Sequence, residues 1–316
     1  MSERDLIRDY FAALGARRAD VPCGVGDDCA LLAVPPDRQL AVSIDTLVAG
    51  VHFFADCDPQ ALGHKSLAVG LSDLASMGAE PAWATLALTL PEIDPDWLGG
   101  FARGLGDLAA AHGVQLVGGD TTRGPLTVSI QVHGLVAPGQ AVTRAGARPG
   151  DLVCVSGTLG DAGLALRQLA AGKAPSATLR RRLERPEPRV GLGRRLAGLA
   201  SAMIDLSDGL AGDLGHILAA SGVGADLELA ALPLGPEGAT VVAETGDWAL
   251  PLASGDDYEL CFTTPAARRA ELSALATPDC AVTVIGQITA APGLRCREPN
   301  GDLWPLDRSG YDHFST

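Results

Sequence analysis

Glycine punctuates this chain from end to end and limits it to short elements joined by turns. The sequence contains 39 glycines among 316 residues, about one in eight, where average usage is nearer 7%. They separate segments of helical or strand periodicity and form no low-complexity tract. They therefore indicate turns and close backbone approaches. Because strand and helix patterns alternate between them, the sequence predicts a mixed α/β fold.

Local signals define the predicted elements. Asp58 before Pro59 and Asp94 before Pro95 are typical of helix starts. In the first half, the pattern predicts strands at 40–44, 83–90, 115–117 and 126–136 and helices at 59–77 and 95–112. In the second half, it predicts strands at 152–156, 258–263 and 282–288 and helices at 161–171, 189–200 and 208–220.

A break near the middle of the chain separates two halves. At roughly 150 residues per domain, the length suggests about two domains. Proline–glycine pairs at 138–139 and 149–150 interrupt the periodic pattern. We therefore predict an N-terminal domain at 1–137 and a C-terminal domain at 138–316.

The charge balance excludes one large class of function. Lys and Arg number 24 against 38 Asp and Glu, a net charge of -14, and the isoelectric point is near 4.7. Nucleic-acid binding needs a basic surface to replace condensed counterions, so we expect no nucleic-acid partner. A protein this acidic that handles phosphates requires metal ions.

Cysteine usage and hydropathy favour a cytoplasmic protein. The seven cysteines are odd in number and include no Cys-x-x-Cys pair, so they predict reduced, mostly buried thiols. The N-terminus lacks the apolar core of a signal peptide, and no apolar run approaches 18 residues. We expect no membrane association.

Six short motifs are predicted to carry aspartates at the ends of apolar strands, beside glycine or hydroxyl residues. They lie at 26–28, 43–46, 71–74, 118–122, 204–209 and 254–259. Each alone is typical of a turn or helix cap. Two carboxylates about 4 Å apart repel by roughly 4 kcal/mol at an effective dielectric near 20, so converging carboxylates need a cation. Oxygen ligands favour Mg²⁺, and Mg²⁺ with substrate phosphates is typical of phosphoryl transfer.

Better-known phosphate and nucleophile motifs are absent from the sequence. It has no Gly-x-x-x-x-Gly-Lys-Ser/Thr loop and no protein-kinase His-Arg-Asp and Asp-Phe-Gly pair. It also lacks a Gly-x-Ser-x-Gly elbow and a His-Glu-x-x-His pair. A phosphoryl-transfer site here must therefore be of another type.

The ordered motifs resemble the thiamine-monophosphate kinase family, in the superfamily that includes aminoimidazole ribonucleotide synthetase. The resemblance runs from Leu6 to Phe314 and rests on the blocks at 24–31, 45–53, 71–79, 118–124, 204–210 and 310–314. It implies direct, Mg²⁺-dependent transfer of the ATP γ-phosphoryl group to thiamine monophosphate, giving thiamine diphosphate and ADP. No covalent nucleophile is expected. It also implies a homodimer whose N-terminal α/β halves join strands in one sheet or barrel, beside a C-terminal α/β half.

The resemblance assigns roles to individual residues. The implied ligands of several magnesium ions are Asp28, Ser43, the carbonyl of Ile44, Asp45, Asp73, Asp120, Asp205 and Asp208. The implied ATP contacts are Gly119, Asp120, Arg144 and Ser207. The implied contacts to thiamine monophosphate are His52, Asp256 and Tyr311, since an acidic side chain and an aromatic ring suit a cationic thiazolium and a flat pyrimidine.

The sequence departs from the family pattern at two of these positions. Asp256 stands where the family carries glutamate, one methylene longer, and Ile44 stands where it carries a smaller or polar residue. Other assignments have alternatives: His52 as a core histidine, Arg144 as a solvated arginine, Tyr311 as C-terminal packing, Arg123 as a rival nucleotide contact and Asp27 as a turn cap.

Two other functions fit part of the pattern. A superfamily relative that uses ATP for ring closure or amidation would share the aspartate motifs, although the blocks at 45–53 and 310–314 argue against it. An Asp-rich, Ca²⁺-binding interaction protein would share the composition.

Overall fold

Residues 2–306 and residue 310 are described by the structure, which is a computed structural model. The chain divides into two units, one formed by Met1–Leu74 and Ala79–Gly139 and the other by Ala75–Gly78 and Gln140–Thr316. Each unit combines a β-sheet with helices, which confirms the mixed α/β class.

The first unit contains a four-stranded sheet in the order β1-β4-β2-β3. Strand β4 pairs antiparallel with β1 and β2, whereas β2 and β3 are parallel and joined through a helix. The strands are β1 Gln39–Val48, β2 Glu80–Leu90, β3 Gln115–Arg123 and β4 Thr127–Val136. The helices are α1 Glu3–Leu6, a π-helix at Ile7–Phe11, α2 Pro59–Ser76 and α3 Pro95–Ala111.

Both helix starts predicted in this unit are confirmed by their caps. The Asp58 carboxylate accepts the N–H groups of Gln60 and Ala61, each at 3.2 Å. The Asp94 carboxylate accepts those of Asp96 at 2.9 Å and Trp97 at 3.3 Å. These bonds satisfy N–H groups that the first turn of a helix leaves free.

Strand β3 runs further than the sequence indicates. The prediction ended it at 117, before Gly118 and Gly119, because glycine weakens strands. The strand continues to Arg123 because β2 pairs with it over this stretch, from Thr85–Gly118 to Leu90–Arg123. A β-bulge between Ala84 and Thr85 adjusts the register just before the glycines.

Helices α2 and α3 pack backbone against backbone. A Cβ on Gly104 would lie 1.8 Å from the carbonyl oxygen of Gln60, and a Cβ on Gly63 would lie 2.1 Å from that of Phe101. These distances are far below any real carbon–oxygen contact. The two glycines therefore set the spacing between the helices.

The second unit contains a seven-stranded sheet in the order β11-β10-β7-β9-β5-β8-β6. All neighbours are antiparallel except β7 and β10. The strands are β5 Leu152–Ser156, β6 Ala202–Asp205, β7 Gly224–Glu228, β8 Leu260–Thr264, β9 Val282–Thr289, β10 Gly293–Arg297 and β11 Leu303–Trp304. The α-helices are α4 Asp161–Ala170, α5 Ala177–Glu184, α6 Val190–Leu196, α7 Leu210–Ser221, α8 Pro236–Thr245, α9 Ala249–Ala253 and α10 Arg269–Leu272, with 3-10 turns at Leu229–Ala231 and Ala266–Arg268.

The second core lies around the central strands. Every residue of β5 and β8 is buried, and Leu210, Leu214 and Ile217 of α7 join the same apolar cluster. Because β6 and β8 are antiparallel, the end of β6 at Asp205 faces the start of β8 at Leu260. The segment after β6 and the segment before β8 are therefore neighbours.

Two general expectations can be compared with the structure. All seven cysteines are free thiols, and Cys154, Cys261, Cys280 and Cys296 are buried. Within the described ranges, no helix has the combination of length and apolar character needed to cross a bilayer.

The glycine contact predicts opposite effects for two alanine substitutions in α3. Gly104→Ala should lower the free energy of unfolding by about 1–3 kcal/mol or more, because the helices must separate to admit the methyl group. Gly99→Ala is the matched control. Its Cβ meets only Arg103 Nη1 at 3.5 Å and Tyr10 Cε1 at 3.9 Å, so helix propensity should stabilise the protein by up to about 1 kcal/mol. Urea unfolding measures both, and equal effects would contradict the close packing.

Candidate active site

A partly buried carboxylate pair, Asp45 and Asp73, lies between β1 and α2 in the first unit. Ser43 and Asp45 alternate with exposed neighbours along β1, and Asp73 lies in α2. The Ser43 hydroxyl donates a short hydrogen bond to Asp73 Oδ2. Asp45 Oδ2 is buried and has no hydrogen-bond partner among the described residues.

The energetic cost of this arrangement appears in the pKa of Asp45. Burial, the adjacent Asp73 charge and a hydrogen bond with Asp73 raise that pKa from 3.8 to about 7. Burial disfavours the charged form, and a like charge adds to the effect. A divalent cation at this pair would offset both the cost of burying the charge and the repulsion between the carboxylates. The two carboxylates and the Ser43 hydroxyl therefore fit a hard metal ion.

A cavity of about 920 Å³ lies in the same unit, beside β3. Its walls include the 25–30 loop, the 118–121 stretch of β3 and apolar side chains such as Phe11. Asp28 and Asp120, both exposed, line it together. The structure therefore brings these two predicted magnesium ligands to one cavity.

Gly119 provides the backbone wall of this cavity. A Cβ at this position would lie 1.9 Å from the carbonyl oxygen of Leu86, and φ is +152°. No other residue fits there without moving β2. Glycine at this position therefore lets β3 lie close against β2 where both line the cavity.

The strand register determines on which face of the sheet Asp45 and Asp120 lie. Asp45 is paired with Ile130, whereas Asp120 is paired with Ala87 and Ala87 with Ser129. Since Ile130 and Ser129 are consecutive in β4, their side chains leave opposite faces. Asp45 and Asp120 therefore leave opposite faces of the sheet.

The expectation that the aspartates end apolar strands is wrong for three of them. Asp45 and Asp120 lie inside strands, and Asp73 lies inside a helix. Only Asp205 is the last residue of its strand. An apolar run beside an aspartate occurs both at the end of a strand and in the interior of an amphipathic strand or helix. The pattern does not distinguish these cases, which explains the error.

The segment after β6 in the second unit is shaped by a residue that the sequence analysis missed. Asp213, in α7, is buried and accepts the N–H groups of Asp208 and Gly209, each at 3.1 Å. Burial is the main cause that raises its pKa to about 7. A signal was available, since Asp213 stands on the same helix face as Leu210 and Leu214. A carboxylate at an apolar position of this kind needs a local partner.

The segment before β8 is bonded to the segment after β6. The N–H of Asp256 donates to the carbonyl oxygen of Ser207 at 2.9 Å, and that of Tyr258 donates to Leu206 at 2.8 Å. The structure thus brings Asp256 next to Ser207 and Asp208, and Asp205 lies at the adjoining strand end.

A second residue missed at the sequence level anchors this segment. Glu259 is fully buried and accepts hydrogen bonds from Arg182 at 2.9 Å, from both Nε and Nη2 of Arg189 at 2.7 and 2.5 Å, and from Ser156 at 2.5 Å. The paired carboxylate favours the charged guanidinium and raises the pKa of Arg189, against the opposing effect of burial. This ion pair network fixes the start of β8.

The surroundings of three further predicted residues, His52, Arg144 and Ile44, are local. His52 is half-buried, and its Nδ1 accepts the Val48 N–H at 3.0 Å. Arg144 is exposed, and Ile44 points outward with 62% of its surface exposed. Tyr311 lies outside the described residues.

Two undecided positions have local contacts. Asp27 accepts the Asp28 N–H at 2.8 Å, as expected of a turn residue, and Arg123 donates to the Pro91 carbonyl at 3.2 Å. In the described part of the chain, no three His, Cys, Asp or Glu side chains form a cluster that could hold a metal ion.

Comparisons with known proteins agree with this architecture. The chain matches the AIR synthase related protein, N-terminal domain, over residues 26–136 and the AIR synthase related protein, C-terminal domain, over residues 148–297. Both halves therefore have the fold of the AIR synthase related proteins. The chain is 50% identical over 323 residues to the thiamine-monophosphate kinase of Escherichia coli O157:H7, covering 99% of this chain and 98% of that relative.

Solved structures give the same result. The crystal structure of thiamine-monophosphate kinase from Stenotrophomonas maltophilia K279a matches with a TM-score of 0.84 and 46% identity, over 89% of this chain and 92% of that one. AaThiL complexed with AMPPCP and TMP matches with a TM-score of 0.78 and 30% identity, over 89% of each chain. The chain belongs to the thiamine-monophosphate kinase family.

The raised pKa of Asp45 predicts a pH-dependent effect of Asp45→Asn. A carboxyl group whose folded pKa of about 7 exceeds its unfolded value near 3.8 destabilises the fold increasingly as pH rises between those values. Asp45→Asn removes this cost, so its melting temperature should exceed that of the parent by about 3 °C or more at pH 8.5 and by little at pH 4.5. Millimolar Mg²⁺ should narrow the gap at pH 8.5.

Asp107→Asn is the control for this measurement, because Asp107 is exposed on α3. Its melting temperature should follow that of the parent at both pH values. A gap for Asp45→Asn that is the same at pH 4.5 and pH 8.5 would contradict the account.

Proposed function

We propose that this protein is an ATP-dependent thiamine-phosphate kinase that transfers the γ-phosphoryl group directly to thiamine monophosphate, giving thiamine diphosphate and ADP. The observation that carries the proposal is the cavity of the first unit, where Asp28 and Asp120 stand beside the bare backbone of Gly119. Carboxylates that hold cations and a backbone open to close approach suit nucleotide phosphates. The kinase relatives at up to 50% identity support the same reaction. The proposal includes a cytoplasmic location.

The proposed nucleotide site lies in the domain at 1–137, where Gly119 and Asp120 line the cavity. Arg144 and Ser207, both exposed, are the other ATP contacts that we propose. An arginine offsets phosphate charge, and a hydroxyl donates to a phosphate oxygen. AaThiL was solved with the ATP analogue AMPPCP, which supports a nucleotide site in this fold.

Several magnesium ions are part of the proposal. Their proposed ligands are Asp28, Asp45, Asp73, Asp120, Asp205 and Asp208, with the Ser43 hydroxyl and the Ile44 carbonyl. The buried, partnerless Asp45 Oδ2 beside Asp73 supports this assignment, because such an oxygen is stable as a charged group only next to a cation. When bound, Mg²⁺ would neutralise phosphate charge during transfer.

The chain's own residues would contribute positioning rather than a nucleophile. A phosphate oxygen of thiamine monophosphate attacks the γ-phosphorus as the bond to the β-phosphate oxygen breaks, and ADP leaves. Ser43 orients Asp73 through its hydrogen bond, and Asp213 orients the backbone of Asp208. Holding both reactants in line accounts for much of the rate in such transfers.

For thiamine monophosphate, we propose contacts from His52, Asp256 and Tyr311. Asp256 is supported by its fixed position next to Ser207, and a carboxylate suits the cationic thiazolium. The Val48 N–H donates to His52 Nδ1, which holds the ring in one orientation. AaThiL was also solved with TMP.

A homodimer through β1 completes the proposal. Strand β1 is an edge strand, paired only with β4 among the described strands. Its outward side chains Leu40, Val42 and Ile44 are 43%, 51% and 62% exposed. An apolar edge strand of this kind pairs readily with another chain. A second copy would cover both the apolar stripe and the free backbone groups.

The reaction is tested by incubating the protein with MgATP and thiamine monophosphate and quantifying thiamine diphosphate and ADP. The parent should form both in equal amounts. Asp120→Asn should lower kcat/KM by about 100-fold or more, since a charged ligand at the phosphates is lost. Asp107→Asn should match the parent. ADP without thiamine diphosphate, or full activity of folded Asp120→Asn, would contradict the proposal.

The dimer is tested by sedimentation velocity of Val42→Lys. A lysine on the outer face of β1 places a charge in the proposed interface, so the protein should shift to monomers at micromolar concentration. Leu166→Lys is the matched control, because Leu166 is 45% exposed on α4 in the other unit. A monomeric parent, or a Val42→Lys variant that stays dimeric, would rule out this interface.

A further inference from the structure

A strained turn precedes β8 in the second unit. Asp256 and Tyr258 have φ values of +69° and +48°, and they are the non-glycine residues with positive φ in the described part of the chain. Aspartate tolerates this region, but for a bulky side chain such as tyrosine it is a clear outlier. Strain of this kind persists only when the surrounding structure enforces it, and it concentrates at functional sites.

The surrounding bonds enforce the turn at each residue. The N–H of Asp256 donates to Ser207, and the N–H of Tyr258 donates to Leu206. Between them, the buried Asp257 carboxylate accepts the Gly160 N–H with both oxygens at 3.0 Å. Hydrogen bonds therefore fix the turn at three consecutive residues, and together they hold its positive φ values in place.

Two side chains of this turn are in contact. The Tyr258 hydroxyl donates a hydrogen bond to Asp256 Oδ1 at 3.0 Å. The Tyr258 side chain is buried, with 7% of its surface exposed, whereas Asp256 is half-buried. A buried aromatic ring is rigid, so its hydroxyl gives the carboxylate a fixed reference point.

We infer that Tyr258 is a positioning residue that holds the Asp256 carboxylate ready for the cationic ring of thiamine monophosphate. This inference rests on the proposed function and deepens it at the acceptor side. The Asp256 carboxylate already lies within hydrogen-bond distance of the hydroxyl two residues on. A carboxylate ordered before binding saves the entropy of ordering it in the complex.

The test is Tyr258→Phe, which removes the hydroxyl and keeps the ring. The KM for thiamine monophosphate should rise about tenfold, while the KM for ATP and the melting temperature stay close to the parent values. Tyr10→Phe is the matched control, since it removes a hydroxyl that donates to the Pro95 carbonyl in the other unit, and it should leave both KM values unchanged. A purely structural role would change both KM values or the melting temperature.

Asp256→Asn supplies a second measurement and keeps a residue type that tolerates positive φ. It should raise the KM for thiamine monophosphate by at least as much as Tyr258→Phe, and the double variant should show less than about a twofold further rise, because both changes act through one carboxylate. An unchanged KM in Asp256→Asn overturns the inference even if Tyr258→Phe does not fold. So does a fully additive double variant.

An assay of the parent enzyme distinguishes a failure of this inference from a failure of the proposed function. If the parent forms thiamine diphosphate and Tyr258→Phe keeps the parental KM for thiamine monophosphate, the positioning role is wrong and the kinase activity stands. If the parent forms no thiamine diphosphate, both are wrong.

Discussion

The partly buried pair formed by Asp45 and Asp73 is the interaction on which the proposed chemistry depends. Its carboxylates share the space between β1 and α2, Asp45 Oδ2 has no donor, and the pKa of Asp45 rises to about 7. A fold optimised for stability alone would carry an apolar side chain at this position. The pair therefore costs stability, and the cation that we propose there would offset this cost. The family to which the chain belongs transfers a phosphoryl group, a reaction for which such cations are required.

Backbone contacts provide the rigidity that such a pair needs. Gly63 and Gly104 let α2 and α3 approach without side chains between them, and α2 carries Asp73. Gly119 does the same between β3 and β2, next to Asp120. In the second unit, side chains replace glycine in this role. Asp213 accepts the N–H of Asp208, and Asp257, the chain neighbour of Asp256, accepts the N–H of Gly160. In each case a predicted ligand stands on a segment that has little freedom to move.

The sequence predicts those parts of the structure that depend on interactions between neighbouring residues. Asp58 with Pro59 and Asp94 with Pro95 mark helix starts because capping involves only neighbouring residues. The prediction failed at Gly118–Gly119, because the pairing with β2 that carries the strand onward is not local. The roles of Asp28 and Asp120 came from family resemblance, and only the fold brings them to one cavity. Asp213 was missed because it binds a backbone N–H group, which the sequence does not mark. Tyr258 was missed because its positive φ is not expected of a tyrosine.

The central claim, that the partly buried carboxylates are loaded by magnesium, is tested most directly by proton release. Metal binding to a carboxylate of raised pKa displaces its proton. Titrating the weakly buffered protein with Mg²⁺ at pH 6.5 should release a large fraction of one proton per chain, falling toward zero at pH 8.5. Asp45→Asn should release markedly less at pH 6.5. Release of the same size from the parent and from Asp45→Asn, or no release at all from a parent that binds Mg²⁺, would contradict the account.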